Sequence, residues 1–189
     1  DIIKDCDDPA GELNKILEHH IRTMIQRYSG NIRVWGVVNE PLEVFGEDFA
    51  DYTFYKVLGK DYIKKSFIWA DKYRTTEKLA LNEQFFNYRD KRAVKFIEFL
   101  KECKAENVPI DVIGLQHHVM FNEPKYDGMK WFLDEITSIG YRFELTEVDV
   151  RKGVFKKSKD KTLAQAKCYY NIAKLCSEYD EFDGITIWE

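Results

Sequence analysis

Five short apolar runs divide the sequence, and each of them follows a longer stretch with the residue spacing of a helix. The runs are rich in Val, Ile and Leu, which is typical of strands that are buried on both faces of a parallel sheet. The predicted strands are 32–38, 78–81, 111–115, 141–145 and 184–187. The predicted helices are 13–28, 52–73, 89–106, 129–139 and 163–179. This regular alternation predicts an α/β fold in which helices cover a parallel sheet.

Side chains that can take part in chemistry stand at the end of every predicted strand. In chain order they are Asn39 and Glu40, Asn82, Gln116 and His118, Glu147 and Asp149, and Trp188. A β/α barrel collects its active site at the C-terminal ends of all its strands, whereas an open doubly wound sheet binds its ligand at one switch point. Functional residues on five strands therefore favour the (β/α)8 TIM barrel.

The number of strands is too small for a closed barrel. A TIM barrel needs eight strands and typically about 250 residues, while this chain has 189 residues and five predicted strands. An open sheet would expose apolar strand edges and half of a barrel interior. We therefore expect residues 1–189 to form one partial β/α-barrel domain, with parts of the barrel missing at both ends.

Composition excludes several classes of function. The net charge is -4, from 29 basic and 33 acidic residues, and without a basic stripe we expect no nucleic-acid partner. No apolar run approaches the ~20 residues of a membrane helix, so no membrane span is predicted. The four cysteines lack the paired spacing of a structural zinc site. Aromatic residues make up 15% of the chain and either fill a large core or line a sugar-binding cleft.

Four motifs, in order, resemble those of glycoside hydrolase family 10, the endo-β-1,4-xylanases. The segment 35–40 reads WGVVNE and resembles the acid/base signature, and 144–150 reads ELTEVDV and resembles the nucleophile signature. The segments 113–118 and 184–188 resemble the sixth-strand and eighth-strand motifs. The resemblance implies that this chain is the C-terminal part of the catalytic barrel and supplies strands 4 to 8.

The resemblance implies a retaining endo-β-1,4-xylanase that uses two carboxyl groups. Glu40 would be the acid/base and Glu147 the nucleophile. Cleavage of a glycosidic bond needs a proton on the leaving oxygen and a nucleophile on the opposite face of the sugar, which two carboxyl groups about 5 Å apart provide. The resemblance implies no metal and no cofactor.

The remaining strand-end residues acquire supporting roles from the same resemblance. The residues expected to contact the sugar are Asn39, Asn82, Gln116, His118 and Trp188. Asn39 would bind the 2-hydroxyl, and Trp188 would form the floor under the sugar at the cleavage site. Asp149 would orient His118, because a carboxylate on one ring nitrogen fixes the tautomer of a histidine.

Three segments depart from the usual family pattern. Gly36 replaces an aspartate, Glu83-Gln84 replaces Asp-Tyr, and His117 replaces a small residue. These changes affect the details of sugar binding more than the two-carboxylate chemistry. The expected partners are xylan or a xylo-oligosaccharide and the missing N-terminal part of the barrel. The family implies an extracellular or cell-surface location.

Other functions remain open from the sequence. A related barrel glycanase that acts on glucan or mannan would also carry the Asn-Glu and Glu pair. A barrel fragment that binds carbohydrate without catalysis is a second alternative, although the presence of both glutamates argues against it. A metal-dependent hydrolase would use His117, His118 and Glu147, but the remaining histidines lie on the leading helix.

Overall fold

The computed structural model describes residue 3 and residues 6–188. The helices are α1 (Pro9–Tyr28), α2 (Thr53–Leu58), α3 (Asp61–Tyr73), α4 (Lys91–Ala105), α5 (Tyr126–Ser138) and α6 (Lys161–Cys176). The strands are β1 (Val34–Asn39), β2 (Lys78–Glu83), β3 (Val112–Leu115), β4 (His118–Val119), β5 (Arg142–Val150) and β6 (Phe182–Ile187). A 3-10 turn spans Lys152–Val154.

The strands form a parallel sheet in the order β1, β2, β3, β5, β6, and the short β4 pairs with the last residues of β5. A helix precedes each of the five main strands. All neighbouring pairs are parallel, so the C-terminal ends of the strands meet at one edge of the sheet. The predicted strand-end residues therefore lie on the same side of the molecule.

Helix starts follow the expected capping chemistry. The Asp8, Asp90 and Asp160 side chains accept a hydrogen bond from the backbone N–H three residues later, each at 2.9 Å. Such caps satisfy N–H groups that the first helical turn leaves without a partner, and each stabilises its helix by about 1 kcal/mol. The beginnings of α1, α4 and α6 are thus fixed by local sequence.

The core lies between the sheet and the helices that cover it. Its largest fully buried side chains are Phe67, Phe96, Phe132, Phe143 and Tyr141. Full burial of an apolar side chain stabilises the fold by about 1.5–3 kcal/mol. The central strand β3 is buried at every residue. Three of the four cysteines are also buried in the core, and all four are free thiols.

The two outer strands are much less buried than the central ones. On β6, Ile185 is 39% exposed and Ile187 is 55% exposed, and β1 has a single buried residue, Val38. Apolar side chains therefore reach water along both open edges of the sheet, as expected for part of a barrel. None of the helices within the described residues is long and apolar enough to cross a membrane.

The predicted helix 52–73 is wrong in one respect, because the structure divides it into α2 and α3. Gly59 separates the two helices with a φ of 64°, a left-handed conformation that glycine adopts without steric cost. The apolar spacing continues across this break, so periodicity alone does not reveal it. Helix α3 buries Tyr62, Ile63 and Phe67, whereas α2 has no buried residue.

The predicted strand 141–145 is too short. Strand β5 continues to Val150, because its later residues find partners on two neighbours. Val148 is in register with Ile187 of β6, and Asp149 is in register with His118 of β4. The predicted nucleophile, Glu147, therefore lies within a strand and not on the loop after it.

Candidate active site

Parallel register brings the predicted site residues together. Asn39 of β1 is the partner of Asn82 of β2, and Asn82 is the partner of Gly114 of β3. The hydrogen-bond ladder continues past the strand ends, where the Glu40 N–H donates to the Asn82 carbonyl (2.9 Å) and the Gln116 N–H donates to the Glu83 carbonyl (3.0 Å). The backbone that carries these side chains is therefore held by sheet geometry.

A continuous network of side-chain amides connects the two predicted catalytic carboxyl groups. Gln116 Nε2 donates to Glu40 Oε1 at 2.8 Å and to Asn39 Oδ1 at 3.2 Å. Asn82 Nδ2 donates to the same Asn39 oxygen at 2.8 Å and to Glu147 Oε1 at 3.0 Å. Glu40 and Glu147 are thereby both fixed by amide donors, although they stand on different strands.

The orientation of the Asn82 amide is set by a further contact. Thr146 Oγ1 donates to Asn82 Oδ1 at 2.7 Å. A hydroxyl donor on the oxygen assigns the two other contacts of this side chain to its NH2 group, which carries two donors. Asn82 thus uses both of its donors and one of its acceptor positions within the site.

The network needs an open space above β3. A Cβ atom at Gly114 would collide with Asn82 Oδ1 and would lie 3.1 Å from the Thr146 methyl group. Glycine at this position allows the Asn82 side chain to cross over β3 and reach β5. Gly114 is therefore part of the site, and the sequence signal that could identify it is a glycine within a buried apolar strand.

His118 and Asp149 form a second group beside the nucleophile. His118 Nδ1 lies 2.8 Å from Asp149 Oδ1, and the opposite ring nitrogen lies 3.6 Å from Glu147 Oε2. The carboxylate of Asp149 favours the tautomer with its proton on Nδ1. The ring is therefore held between two acidic side chains.

Two residues next to the site adopt left-handed backbone conformations. Glu40 has a φ of 48° and His117 a φ of 60°. For a residue with a Cβ this conformation costs about 1–2 kcal/mol, and such strain clusters at functional sites. At Glu40 it ends strand β1, immediately before Pro41.

His117 is separated from the cleft in spite of its neighbour. Its ring is buried, is stacked on Tyr88 and has Nδ1 2.7 Å from the Tyr88 hydroxyl. Burial lowers the pKa of His117 to about 4, so the ring is neutral near pH 7. Within the described residues no group of three His, Cys, Asp or Glu side chains could hold a metal ion. The two neighbouring histidines have different partners, Tyr88 for His117 and Asp149 for His118.

Comparison with known proteins places the chain in a family. The family model described as Glycosyl hydrolase family 10 matches residues 2–189. The chain belongs to glycosyl hydrolase family 10. The predicted family and the TIM-barrel fold class are thereby confirmed.

Relatives and solved structures agree with this family. The chain is 31% identical over 181 residues to endo-1,4-beta-xylanase A of Phanerodontia chrysosporium, which covers 95% of the chain and 43% of that protein. Humicola insolens endo-1,4-beta-xylanase A is 31% identical over 182 residues, with coverage of 94% and 47%. The structure of xylanase 10B from Thermotoga maritima matches with a TM-score of 0.86 and 28% identity, over 95% of this chain and 55% of that one. The chain spans about half the length of the relatives it matches.

Trp188 is a predicted site residue of this family 10 chain, but its side chain does not belong to the hydrogen-bond network that connects Glu40 and Glu147. Its backbone N–H donates to the Val148 carbonyl at 3.1 Å, and the residue is 53% exposed at the open edge of β6. Its role as a floor under the sugar stays a prediction.

A buried ion pair beneath the acid/base loop escaped the sequence analysis. Glu83 is fully buried and accepts from Arg92 Nη2 at 2.6 Å, from the Gln84 N–H at 2.8 Å and from the Leu42 N–H at 3.1 Å. Arg92 also donates to the carbonyls of Glu43 (2.7 Å) and Gln84. Burial raises the pKa of Glu83 to about 7, although Arg92 opposes the shift. The pair connects the loop after Glu40 to helix α4.

We expect Gly114→Ala to disturb the network. The added methyl group displaces Asn82, and both of its donated hydrogen bonds are lost, so the free energy of unfolding in urea falls by about 1–3 kcal/mol, the cost of a buried polar group left without a partner. Gly153→Ala is the matched control, since a Cβ there meets no atom within 4 Å. An unchanged free energy of unfolding in Gly114→Ala would show that the bridge across β3 is dispensable.

We expect Arg92→Met to destabilise the protein by about 3–5 kcal/mol at pH 8, because it leaves Glu83 buried without its cation. Without Arg92 the pKa of Glu83 in the folded state rises further above its unfolded value. The contribution of Glu83 to the free energy of unfolding is then complete at a pH below the pKa that Glu83 has in the unfolded state. This contribution is lost as the pH rises. Urea unfolding at pH 5 and pH 8 should show the smaller loss at pH 5.

The double variant Arg92→Met/Glu83→Gln controls for this interpretation of the ion pair. It removes both charges and keeps an acceptor oxygen for one of the two backbone N–H groups, so it should recover part of the stability at pH 8. A pH-independent loss in the single variant, with no recovery in the double variant, would assign the effect to packing alone.

Proposed function

We propose that this chain supplies the catalytic carboxyl groups of a retaining endo-β-1,4-xylanase. The observation that carries the proposal is the amide network that connects Glu40 and Glu147 across strands β2 and β3 of the sheet. Family membership supports the same conclusion. A solved relative from Thermotoga petrophila, 28% identical, is described in complex with xylobiose, which supports xylan or a xylo-oligosaccharide as the substrate.

The proposed reaction is a double displacement. Glu40 gives its proton to the glycosidic oxygen while the Glu147 carboxylate attacks the anomeric carbon, so the leaving sugar departs and a glycosyl ester forms. Glu40, now a carboxylate, takes a proton from water, and the water oxygen attacks the anomeric carbon and releases Glu147. The sum of the two steps is hydrolysis with retention of configuration.

The contacts support a distinct task for each supporting residue. Asn39 Oδ1 already accepts two amide donors, so its NH2 group is the part that remains for a sugar hydroxyl. Asn82 donates to one oxygen of the nucleophile, the ring of His118 lies beside the other, and Asp149 orients that ring. Gln116 positions Glu40.

The open sheet edges support a second part of the proposal. We propose that residues 1–189 form one part of a barrel domain and that a polypeptide with the remaining β/α units, including the N-terminal part of the barrel, closes it. Closure would bury the exposed apolar side chains of β6 and bring further sugar contacts to the cleft. Xylan is a polymer, so we place the reaction outside the cell or at its surface.

The carboxyl roles are tested by trapping the glycosyl-enzyme. With a dinitrophenyl 2-fluoroxylobioside, we expect mass spectrometry to find the sugar on Glu147 and Glu147→Gln to remain unlabelled. Glu40→Ala should still be labelled, because this leaving group needs no proton, but its turnover should fall about 10²- to 10⁴-fold and recover with azide. Glu43→Gln, an exposed carboxylate three residues away, is the control that keeps normal turnover. Labelling of another carboxyl group would overturn the assignment, and faster hydrolysis of glucan or mannan than of xylan would overturn the substrate.

Barrel completion is tested by complementation. We expect residues 1–189 alone to release no measurable sugar from xylan and to become active with a polypeptide that carries the first three β/α units. Ile187→Asp, on the open edge of β6, should block this gain, because a charge on an apolar interface is costly. Leu163→Asp, 51% exposed on α6, is the control and should not block it. Full activity of residues 1–189 by themselves would contradict the proposal.

A further inference from the structure

Tyr88 and His117 form a buried pair that the proposed reaction does not use. Their rings are stacked with centroids 5.6 Å apart, and the Tyr88 hydroxyl lies 2.7 Å from His117 Nδ1. Tyr88 also packs against Phe85 and Phe132 in the core, at centroid distances of 5.6 and 5.3 Å. Burial raises the pKa of Tyr88 and lowers the pKa of His117, so both rings are neutral near pH 7. The pair is therefore a neutral contact that is anchored in the core.

The His117 side chain is kept at a cost to the fold. Its backbone has a left-handed φ of 60°, which is unfavourable for a residue with a Cβ atom. Its Nε2 atom is buried and has no hydrogen-bond partner among the described residues, and a buried polar atom without a partner is destabilising. A glycine would adopt this backbone conformation without strain and would leave no ring nitrogen unpaired. Strain and unpaired polar groups of this kind point to a function for the side chain.

His117 lies in the turn between β3 and β4, with a site residue on each side of it. The Gln116 side chain donates to Glu40 at 2.8 Å, and the His118 ring lies 3.6 Å from Glu147. Three consecutive side chains thus contact the carboxyl site, the core and the carboxyl site again. A rotation of the backbone at His117 would move both of its neighbours, and with them a contact to each carboxyl group.

Strand β5 has an extra residue opposite this turn. Leu115 of β3 is in register with Leu145 of β5, and His118 of β4 is in register with Asp149 of β5. Three steps along the first segment therefore match four steps along β5. The register between β5 and β6 shifts at the same place. A bulge of this kind changes the direction of a side chain and is common beside active sites. The left-handed turn thus lies opposite the irregular part of β5, which carries Glu147.

We propose that Tyr88 and His117 act together as positioning residues for the two catalytic carboxyl groups. Their contact fixes the turn between β3 and β4 and thereby aims the two side chains that flank His117, one at each carboxyl group. The inference rests on the proposed function. Neither side chain of the pair belongs to the hydrogen-bond network, so the pair acts on kcat through geometry and not on substrate affinity. His117 stands where family 10 usually has a small residue, so the family pattern does not supply this contact.

The test separates positioning from stability. Tyr88→Phe removes the hydroxyl and keeps the stacked ring. Tyr141→Phe is the matched control, because Tyr141 is also buried and its hydroxyl also makes one hydrogen bond, to the Leu100 carbonyl. Active sites of the assembled enzyme are counted by complete labelling with a dinitrophenyl 2-fluoroxylobioside. We expect Tyr88→Phe to lower kcat per labelled site on xylohexaose by on the order of 3- to 10-fold, the effect of one hydrogen bond, with an unchanged KM. Tyr141→Phe should keep the wild-type kcat per labelled site.

The variant His117→Asn tests the other member of the pair. Asparagine tolerates a left-handed φ but has no ring to stack on Tyr88, so we expect a loss of kcat per labelled site at least as large. In Tyr88→Phe/His117→Asn the loss should equal that of His117→Asn alone, because both residues act through one contact. Additive losses would show that the two residues act independently and would overturn the pair.

The outcomes separate this inference from the proposed function. Fewer labelled sites with a wild-type kcat per site, in both single variants, would show a purely structural contact and overturn the positioning role. An unsubstituted enzyme that neither takes up the label nor hydrolyses xylohexaose overturns the proposed function itself. NMR spectra of the ¹⁵N-labelled histidine rings then decide the positioning role alone. The ring proton of His118 should lie on Nδ1 in the unsubstituted protein and should lose this preference in Tyr88→Phe, whereas an unchanged His118 tautomer in that variant overturns the inference.

Discussion

The passage of the Asn82 side chain across strand β3 is the constraint on which the candidate site depends. Neighbouring strands are about 4.8 Å apart, so Asn82 on β2 and Glu147 on β5 are separated by two strand spacings. A direct contact at 3.0 Å is possible because the strand between them has Gly114 at the level of Asn82. The sheet thus gains a link between strands that are not neighbours.

This link makes the network cooperative. Asn82 contacts Asn39, Thr146 and Glu147 with one amide group, and Gln116 extends the network to Glu40. A single hydrogen bond contributes about 0.5–1.5 kcal/mol, whereas a buried polar group left without a partner costs about 1–3 kcal/mol. Misplacement of Asn82 therefore disturbs several partners together, and both carboxyl groups lose part of their support.

Most of the site could be predicted from the sequence, because the site depends on strand ends. Apolar periodicity locates the strands, and parallel strands collect their C-terminal residues at one edge of the sheet. The acidic and amide residues at those positions are then the candidate site residues. The family motifs supplied the separate roles of Glu40 and Glu147, which periodicity does not contain.

The features that escaped prediction depend on contacts between residues far apart in the chain. Glu83 was visible as a carboxylate after a strand, but its burial depends on Arg92, nine residues later, and on the backbone of the loop after Glu40. Strand β5 continues past 145 because β4 and β6 supply partners there. The break at Gly59 is a backbone event that side-chain periodicity does not record.

The same geometry explains why the side-chain network is continuous within this chain although the sheet is open at both edges. Bonds between the carboxyl groups and their supporting amides run through β1, β2, β3 and β5, which lie side by side in the sheet. None of these bonds needs a contact across the open edges. At the two edges, Asn39, which belongs to the network, is exposed, and Trp188, which does not, is 53% exposed. Side chains that cover the β1 and β6 edges would fix Trp188 and exclude water from the cleft, which strengthens every charge interaction within it. Closure of the barrel would therefore act on substrate positioning and on the local dielectric, and the carboxyl pair would be held in the same way before and after it.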